Sequence, residues 1–511
     1  MTHWVILPVL LPLIGGLLQL VVRNFGLPVQ RSIGLVFTGG LMVMGIKILM
    51  LSQASETLVY HLGDWPAPFG IVLVLDRLAA MMVLLTSVLA LAALGYANLM
   101  KVDEKGWHFH VLFQLQLFGL NGAFLTGDVF NLFVFFEVML LASYGLLLHG
   151  SGAARTRAGL HYVVINLIGS TVFLFAVGAL YGAVGTLNIA DMALKVAAAP
   201  AERSGLIAAA GLLLLVVFAL KAAMFPLYLW LPQAYANTSA PVAAFFAIMT
   251  KVGVYAIIRV HGTVFGEQAG ELAWLHLPWV LGGGLVTLVL SALGIMAARG
   301  LREQVAYLVL ASVATLLVAV GLNGKDALAA GLYYLLHSTL LAGAFFLLAD
   351  LIRRNRGAAS DRFDTVAQMQ GGRWLGIGFF FAAVALAGLP PMSGFIGKIM
   401  ILDAALEHPW RWQVLTSTLA ASLLIMLALV RSGSFLFFRP QEMARDENAQ
   451  LGEPPNRLAL VIIGGMLLMA PLLVLFAGGI MDFTIKTSTQ LQQVPKYIEA
   501  VLEKPLTGSE R

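Results

Sequence analysis

Five ionisable side chains stand deep inside apolar runs. Glu137 lies in Phe133-Val134-Phe135-Phe136-Glu137-Val138-Met139-Leu140-Leu141, Lys221 in Val217-Phe218-Ala219-Leu220-Lys221-Ala222-Ala223-Met224-Phe225, and Lys251 in Ile248-Met249-Thr250-Lys251-Val252-Gly253-Val254-Tyr255. His337 follows Tyr333-Tyr334-Leu335-Leu336, and Lys398 sits in Phe395-Ile396-Gly397-Lys398-Ile399-Met400. A charge at the centre of a bilayer costs at least about 2.5 kcal/mol even on lenient insertion scales, so each group needs a reason to be there. One reason is structural: the group snorkels to the interface or forms a static buried pair that locks helix packing. Three lysines near span centres cannot all snorkel, and one carboxylate cannot neutralise all three.

The chemistry that the five fit together is proton carriage. Desolvation disfavours the ammonium form of an amine, and a carboxylate that approaches or withdraws then captures or releases the proton. Glu137 is placed to gate Lys221 in this way. An imidazole accepts on one ring nitrogen and donates from the other, with an ordinary pKa of about 6.5, so His337 suits a relay between two halves. Its other role is a core histidine bonded to a nearby hydroxyl such as Ser338 or Tyr334.

Proline removes a helix donor and frees a carbonyl one turn earlier. Pro226 therefore predicts a helix break beside Lys221, and Pro390 with Pro391 a second break beside Lys398. Unpaired backbone at membrane depth must be buried in protein or face water, so a hydrated cavity is expected at both lysines. Gly388, Gly394 and Gly397 add room for bending or close approach. An ordinary packing kink is the other explanation of each proline. Asp76 and Arg77 read as an interfacial pair, and Asp350 as a solvated group near a helix end. Gly394 to Lys398 lacks the glycine spacing and following hydroxyl of a phosphate loop.

The elements that must hold these groups are transmembrane helices. Of 511 residues, 60% are hydrophobic and 11% charged, against about 25% charged in a soluble domain. Mean hydropathy is +0.89. With no Cys, disulfides, thiolate metal sites and Cys nucleophiles are excluded; no metal or cofactor motif is present. The formal charge of +5 resides in loops between apolar runs, which is a topology signal rather than a nucleic-acid footprint.

Apolar windows predict about fourteen spans of roughly 20 residues. They run Trp4 to Val22, Ile33 to Leu51, Leu78 to Leu99, Val111 to Leu125, Asn131 to Leu148, Leu160 to Val184 and Leu206 to Tyr228. The others are Val242 to Val260, Leu277 to Ala297, Val305 to Leu322, Ala327 to Leu351, Leu375 to Leu402, Val414 to Phe438 and Leu458 to Met481. The first is read as a retained helix rather than a removable signal. Loops after odd-numbered spans carry Arg23 and Arg31, Lys101 and Lys105, Arg155 and Arg157, Arg299 and Arg302, and Arg353 to Arg362, which predicts them cytoplasmic and both termini outside. Residues 1-511 read as one polytopic membrane domain. Broken spans about five apart are the mark of paired inverted repeats.

Phe136-Glu137-Val138-Met139, Lys221-Ala222-Ala223-Met224-Phe225-Pro226-Leu227-Tyr228-Leu229-Trp230-Leu231-Pro232, Thr250-Lys251-Val252-Gly253-Val254-Tyr255 and Gly388-Leu389-Pro390-Pro391-Met392-Ser393-Gly394-Phe395 together resemble the antiporter-like subunits shared by respiratory complex I and Mrp antiporters. The resemblance spans nearly the whole chain. It implies fourteen helices in an all-α membrane fold, two inverted five-helix repeats (108-260 and 277-438), each containing a broken helix, and a central line of charged residues that conducts protons. Lys398 after the second break is similar to the D-type subunit of Mrp-type multi-subunit Na+/H+ antiporters. Tyr228, Gln233 and Tyr235 replace residues of a Phe-Pro-Leu-His and Leu-Pro-Asp-Ala-His pattern common in complex I subunits. The resemblance thus implies a proton-translocating subunit of a monovalent cation (Na+)/proton antiporter in the bacterial inner membrane, partnered by other Mrp subunits and without a cofactor. A proton-pumping subunit of NADH-quinone oxidoreductase or of a membrane hydrogenase, and a non-conducting scaffold subunit, stand as alternatives.

Overall fold

Apolar runs of this length must satisfy their backbone internally once water is excluded, and they do so as helices. The computed structural model describes residues 2–54, 57–365, 367, 369–438 and 452–503. Among them, twelve helices are long and apolar enough to cross a membrane, and two shorter apolar helices stand at the fourth and twelfth expected spans.

In chain order, α1 (Leu7–Val21), α2 (Leu27–Ala54) and α3 (Arg77–Leu99) precede α4 (Phe109–Leu125), α5 (Val129–Leu148) and α6 (Ala153–Val184). A short α7 (Ile189–Ala197) leads into α8 (Ala201–Lys221), which stops and resumes as α9 (Trp230–Asn237). Then α10 (Ala240–Phe246), α11 (Met249–Ala256), a π-helical turn over Ile257–His261 and α12 (Gly262–Val264) form one rod. Next come α13 (Leu277–Ala297), α14 (Leu301–Gly321) and α15 (Lys325–Asn355). A second break separates α16 (Gly372–Ala387) from α17 (Ser393–Ala404), and α18 (Arg411–Gly433) ends in a π-helical turn over Ser434–Phe438. The chain finishes with α19 (Arg457–Leu467), α20 (Met469–Leu475), α21 (Ala477–Gln492) and α22 (Val494–Leu502).

Burial separates the centre from the lipid-facing rim. The rod Ala240–Val264 is 100% buried along its apolar window, and α15 and α14 are 94% and 89% buried, whereas α2 and the α19–α20 span are 28% buried. Helices that are apolar all round belong inside a bundle. Lys251 and His337 ride on these central elements.

Several boundaries differ from the expected ones. The seventh span stops at Lys221 rather than Tyr228, because the segment before Pro226 cannot continue the helix. The second starts at Leu27, since Pro28 is tolerated in a first helical turn; Arg31 is therefore helical. The polar stretch from Arg439 to Arg457 lies largely outside the described residues. An antiparallel hairpin, β1 (Leu58–His61) with β2 (Val72–Leu75), pairs Leu58 with Leu75 and His61 with Val72. Four residues per strand and a long connection give too short an alternation to read beforehand.

The loops sort into two faces. Leu73 bridges Thr126, and Asp128 bridges Asn188, which gathers loops after even-numbered spans. On the other face Gly300 bridges Arg362, and Arg31 meets Asp103 with Nε–Oδ2 2.6 Å, which gathers loops after odd ones.

Candidate functional site

The first break places Lys221 as the last residue of α8. Ala223 adopts a positive φ of 53°, a left-handed conformation that disfavours a side-chain-bearing residue by about 1 kcal/mol. Surrounding bonds hold it there. The Phe225 amide donates to Thr287 Oγ1 at 2.8 Å, and the Trp230 indole donates at 3.2 Å to the Leu220 carbonyl, which also accepts from the Ala223 amide at 3.1 Å. Lys221 is 5% exposed; its Nζ donates to Asn166 Oδ1 at 3.0 Å and lies 6.0 Å from the Phe136 ring centre. One turn along α6, the Ser170 hydroxyl donates to the Glu137 carboxylate. Asn166 and Ser170 are four residues apart and so share a helix face. Glu137 and Lys221 are thus both fastened to α6, and among the described residues Glu137 forms no ion pair. The 1060 Å³ cavity beside this break is apolar, and Lys221 is not among its lining residues.

Lys251 is fully buried, and its Nζ donates to Ser312 Oγ of α14 at 2.9 Å. Two residues on, Gly253 lies against the first break: a Cβ there would meet the Lys221 carbonyl carbon and Phe218 O at 2.8 Å and also contact the Ala222 amide. The backbones that carry Lys221 and Lys251 therefore touch. Tyr255 and Arg259 continue the Lys251 face at four-residue steps. Arg259 Nη2 pairs with Asp76 Oδ2 at 2.6 Å, and both side chains are almost fully buried. This corrects the expected Asp76–Arg77 interfacial pair. Asp76 instead caps α3 through the Ala79 amide at 2.9 Å and neutralises an almost fully buried guanidinium.

At the second break Gly388 has φ 77°, and Lys398 packs against it, so that a Cβ would meet Lys398 Nζ at 3.0 Å and its Cδ at 2.8 Å. Lys398 Nζ donates to the freed Ala387 carbonyl at 2.9 Å and to Ser422 Oγ at 3.0 Å. A lysine does here what Trp230 does at the first break. His337 Nδ1 lies 2.7 Å from Ser393 Oγ at the start of α17, rather than bonding Ser338 or Tyr334. Glycines let α15 approach α17: a Cβ at Gly394 would sit 2.6 Å from His337 Nε2, and one at Gly397 would sit 3.0 Å from Tyr334 Cβ. Between Ser312 and Lys398 is a cavity of about 10 Å³, lined also by Thr315, Tyr334, Thr418 and Ser422. That is room for about one water centre. Lys251, Ser312, this cavity and Lys398 thus follow one another across the core.

Asp350 is another correction. It is 3% exposed, held by Arg353 Nη2 at 2.8 Å, Arg354 Nε at 2.8 Å and the Tyr96 hydroxyl at 3.0 Å. Neutral partners of the lysines, Asn166, Ser312 and Ser422, were not visible in the sequence, where single small polar residues in apolar helices are commonplace. Only the four-residue spacing of Asn166 and Ser170 could have pointed to them.

A family model described as NADH:quinone oxidoreductase/Mrp antiporter, TM, matches residues 126–424, which contain all five ionisable groups. The chain belongs to this family. A family member of Rhizobium meliloti (strain 1021), described as the D-type subunit of a probable K(+)/H(+) antiporter, is 40% identical, over 99% of each chain. The D-type subunit of the Na(+)/H(+) antiporter of Alkalihalophilus pseudofirmus is 34% identical over 99% of this chain and 100% of its own. Among solved structures, a chain of the Mrp complex from Dietzia sp. DQ12-45-1b matches with TM-score 0.85 and 26% identity, covering 98% of this chain and 100% of that one. A chain of an archaeal membrane-bound sulfane sulfur reductase shares the fold at TM-score 0.88 and 22% identity.

Proposed function

We propose that this chain is the D-type subunit of a multi-subunit monovalent cation/proton antiporter of the bacterial inner membrane, a secondary transporter component rather than an enzyme. It carries protons along Glu137, Lys221, Lys251, His337 and Lys398, and net exchange of Na+ or a related cation requires the other Mrp subunits. The observation that carries this reading is the partnering of the three lysines. Each buried ammonium rests on neutral acceptors: Asn166 for Lys221, Ser312 for Lys251, Ser422 and the Ala387 carbonyl for Lys398. A lysine locked to a carboxylate keeps its proton, because losing it would strand a buried charge. One held by neutral acceptors gives its proton up without that penalty.

Fourteen crossings, both termini outside, and inverted repeats over 108-260 and 277-438 complete the reading. Its support is element correspondence: α4, α5, α6, the broken α8–α9 and the α10–α12 rod parallel α13, α14, α15, the broken α16–α17 and α18. The last member of each series carries a π-helical turn, Ile257–His261 just before α12 in the rod and Ser434–Phe438 at the end of α18. In everted vesicles, Lys221→Ala and Glu137→Ala are expected to abolish cation-dependent proton efflux while the variant subunits still co-purify with the complex. Normal exchange in assembled variants would reject the relay. Flavin and iron–sulfur partners in the purified native complex would instead point to a redox-driven pump.

A further inference from the structure

The face that gathers the basic loops contains a cavity of about 330 Å³. Its charged lining is Lys105, Arg155, Arg302, Arg353, Arg354 and Asp350, contributed by loops and helix ends far apart in sequence. The single lining carboxylate is already engaged: Asp350 Oδ1 accepts from Arg353 and Oδ2 from Arg354 and Tyr96. Arg302 is paired outside the lining, with Asp361 at 3.2 Å. Arg155 rests on two neutral carbonyls, Asn237 O at 3.0 Å and His149 O, which orient the guanidinium without cancelling its charge. Lys105 forms no ion pair among the described residues.

Lys105 and Arg155 also crowd one another. They flank Gly150, whose φ is 86°; a Cβ built there would meet Arg155 Nη1 at 2.8 Å and Lys105 Cδ at 3.3 Å. Burial, and then the Arg354 and Arg353 guanidinia, hold the Lys105 amine below its ordinary value. Such a concentration of like charge repels protons and metal cations, so the cavity is ill suited as their mouth. It suits a ligand with several anionic oxygens. Guanidinium forks and an ammonium match phosphate geometry, and basic pockets between helices at a membrane face are where phospholipid headgroups dock.

We propose that this cavity is a binding site for a phosphate-bearing anion, either the headgroup of an anionic phospholipid or a soluble phosphate, with Lys105 and Arg155 as its principal contacts. None of the five proton-relay residues lines it, so the site stands whether or not the relay does.

The test uses the intact detergent-purified complex. One arm extracts co-purifying lipid and quantifies phosphatidylglycerol and cardiolipin in the wild type, Lys105→Gln, Lys105→Arg and Lys105→Gln/Arg155→Gln. The other titrates the delipidated complex with inorganic phosphate and follows its thermal midpoint. A lipid site predicts retained anionic lipid that falls at least about tenfold in the double variant and persists in Lys105→Arg. A soluble-phosphate site predicts a phosphate-dependent rise of the midpoint, present in the wild type and Lys105→Arg and absent in Lys105→Gln. Lys105 is exposed, so the single variants separate loss of binding from misfolding. Equal lipid retention together with equal phosphate response in wild type and Lys105→Gln would overturn the proposal.

Discussion

Asn166 sits at the point where the proton of Lys221 is either held or let go. Its Oδ1 accepts from the ammonium at 3.0 Å, while its Nδ2 donates to the Tyr162 carbonyl at 2.9 Å, which fixes the amide orientation. Replacing it shifts the balance in two opposite ways. Asn166→Leu leaves a buried ammonium without an acceptor, a loss of about 1–3 kcal/mol that disfavours the charged state. Asn166→Asp supplies a carboxylate that pins the proton. Both variants are expected to slow antiport roughly tenfold or more with the complex assembled, measured as initial rates in everted vesicles. The two should differ in pH dependence: the leucine variant recovers rate toward lower pH, where protonation of the lysine is favoured, and the aspartate variant recovers toward higher pH. Unchanged rates in both would remove Asn166 from the proton path.

Among the elements, α2 is tied to the loop after α3 through Arg31, which pairs with the buried Asp103 and, at 3.0 Å, with the exposed Glu104. Asp103 is fully buried, bonded to Arg31 Nε at 2.6 Å and to His110 Nε2 at 3.0 Å. Burial pushes its carboxyl up, but the Arg31 and His110 bonds overcome this and hold it at about 2, below the ordinary 3.8. A depressed value in the folded state means stability that is present above pH 3.8 and lost as pH falls through 2. Asp103→Asn is therefore expected to cost about 2 kcal/mol, with the same deficit at about pH 7 and about pH 5. Thermal midpoints of the purified variant at those two pH values check this; a deficit that vanished at the lower one would contradict it.

Helices of this kind were legible in the sequence because twenty apolar residues in a row admit few other outcomes, and the breaks because proline leaves a local mark. Partners were not legible. That Arg259 finds Asp76, or that Lys251 finds Ser312, depends on which helix faces which, and apolarity on all sides of a central helix erases the periodicity that would give the facing surface. Short elements such as β1, β2 and α22 escaped for another reason: they hold too few residues for a periodic signal.

For the whole molecule, the sorting of loops onto two faces makes a topological prediction that the absence of cysteine renders easy to check. A cysteine introduced at Ser151, which is exposed, is expected to react with a membrane-impermeant maleimide only in everted vesicles. One introduced at Gly270, also exposed, is expected to react only in intact cells. The opposite pattern would invert the proposed orientation, and labelling of both from one side would break the two-face arrangement.

The rod from Ala240 to Val264 touches no acyl chain along its apolar window. Bilayer thickness and fluidity consequently have no direct grip on Lys251. Any sensitivity of exchange to membrane composition has to be transmitted by helices with an outer face in lipid, such as α8, whose end abuts Gly253. Stiffening or thinning the membrane would then be felt first at Lys221, and by Lys251 only through that shared backbone contact.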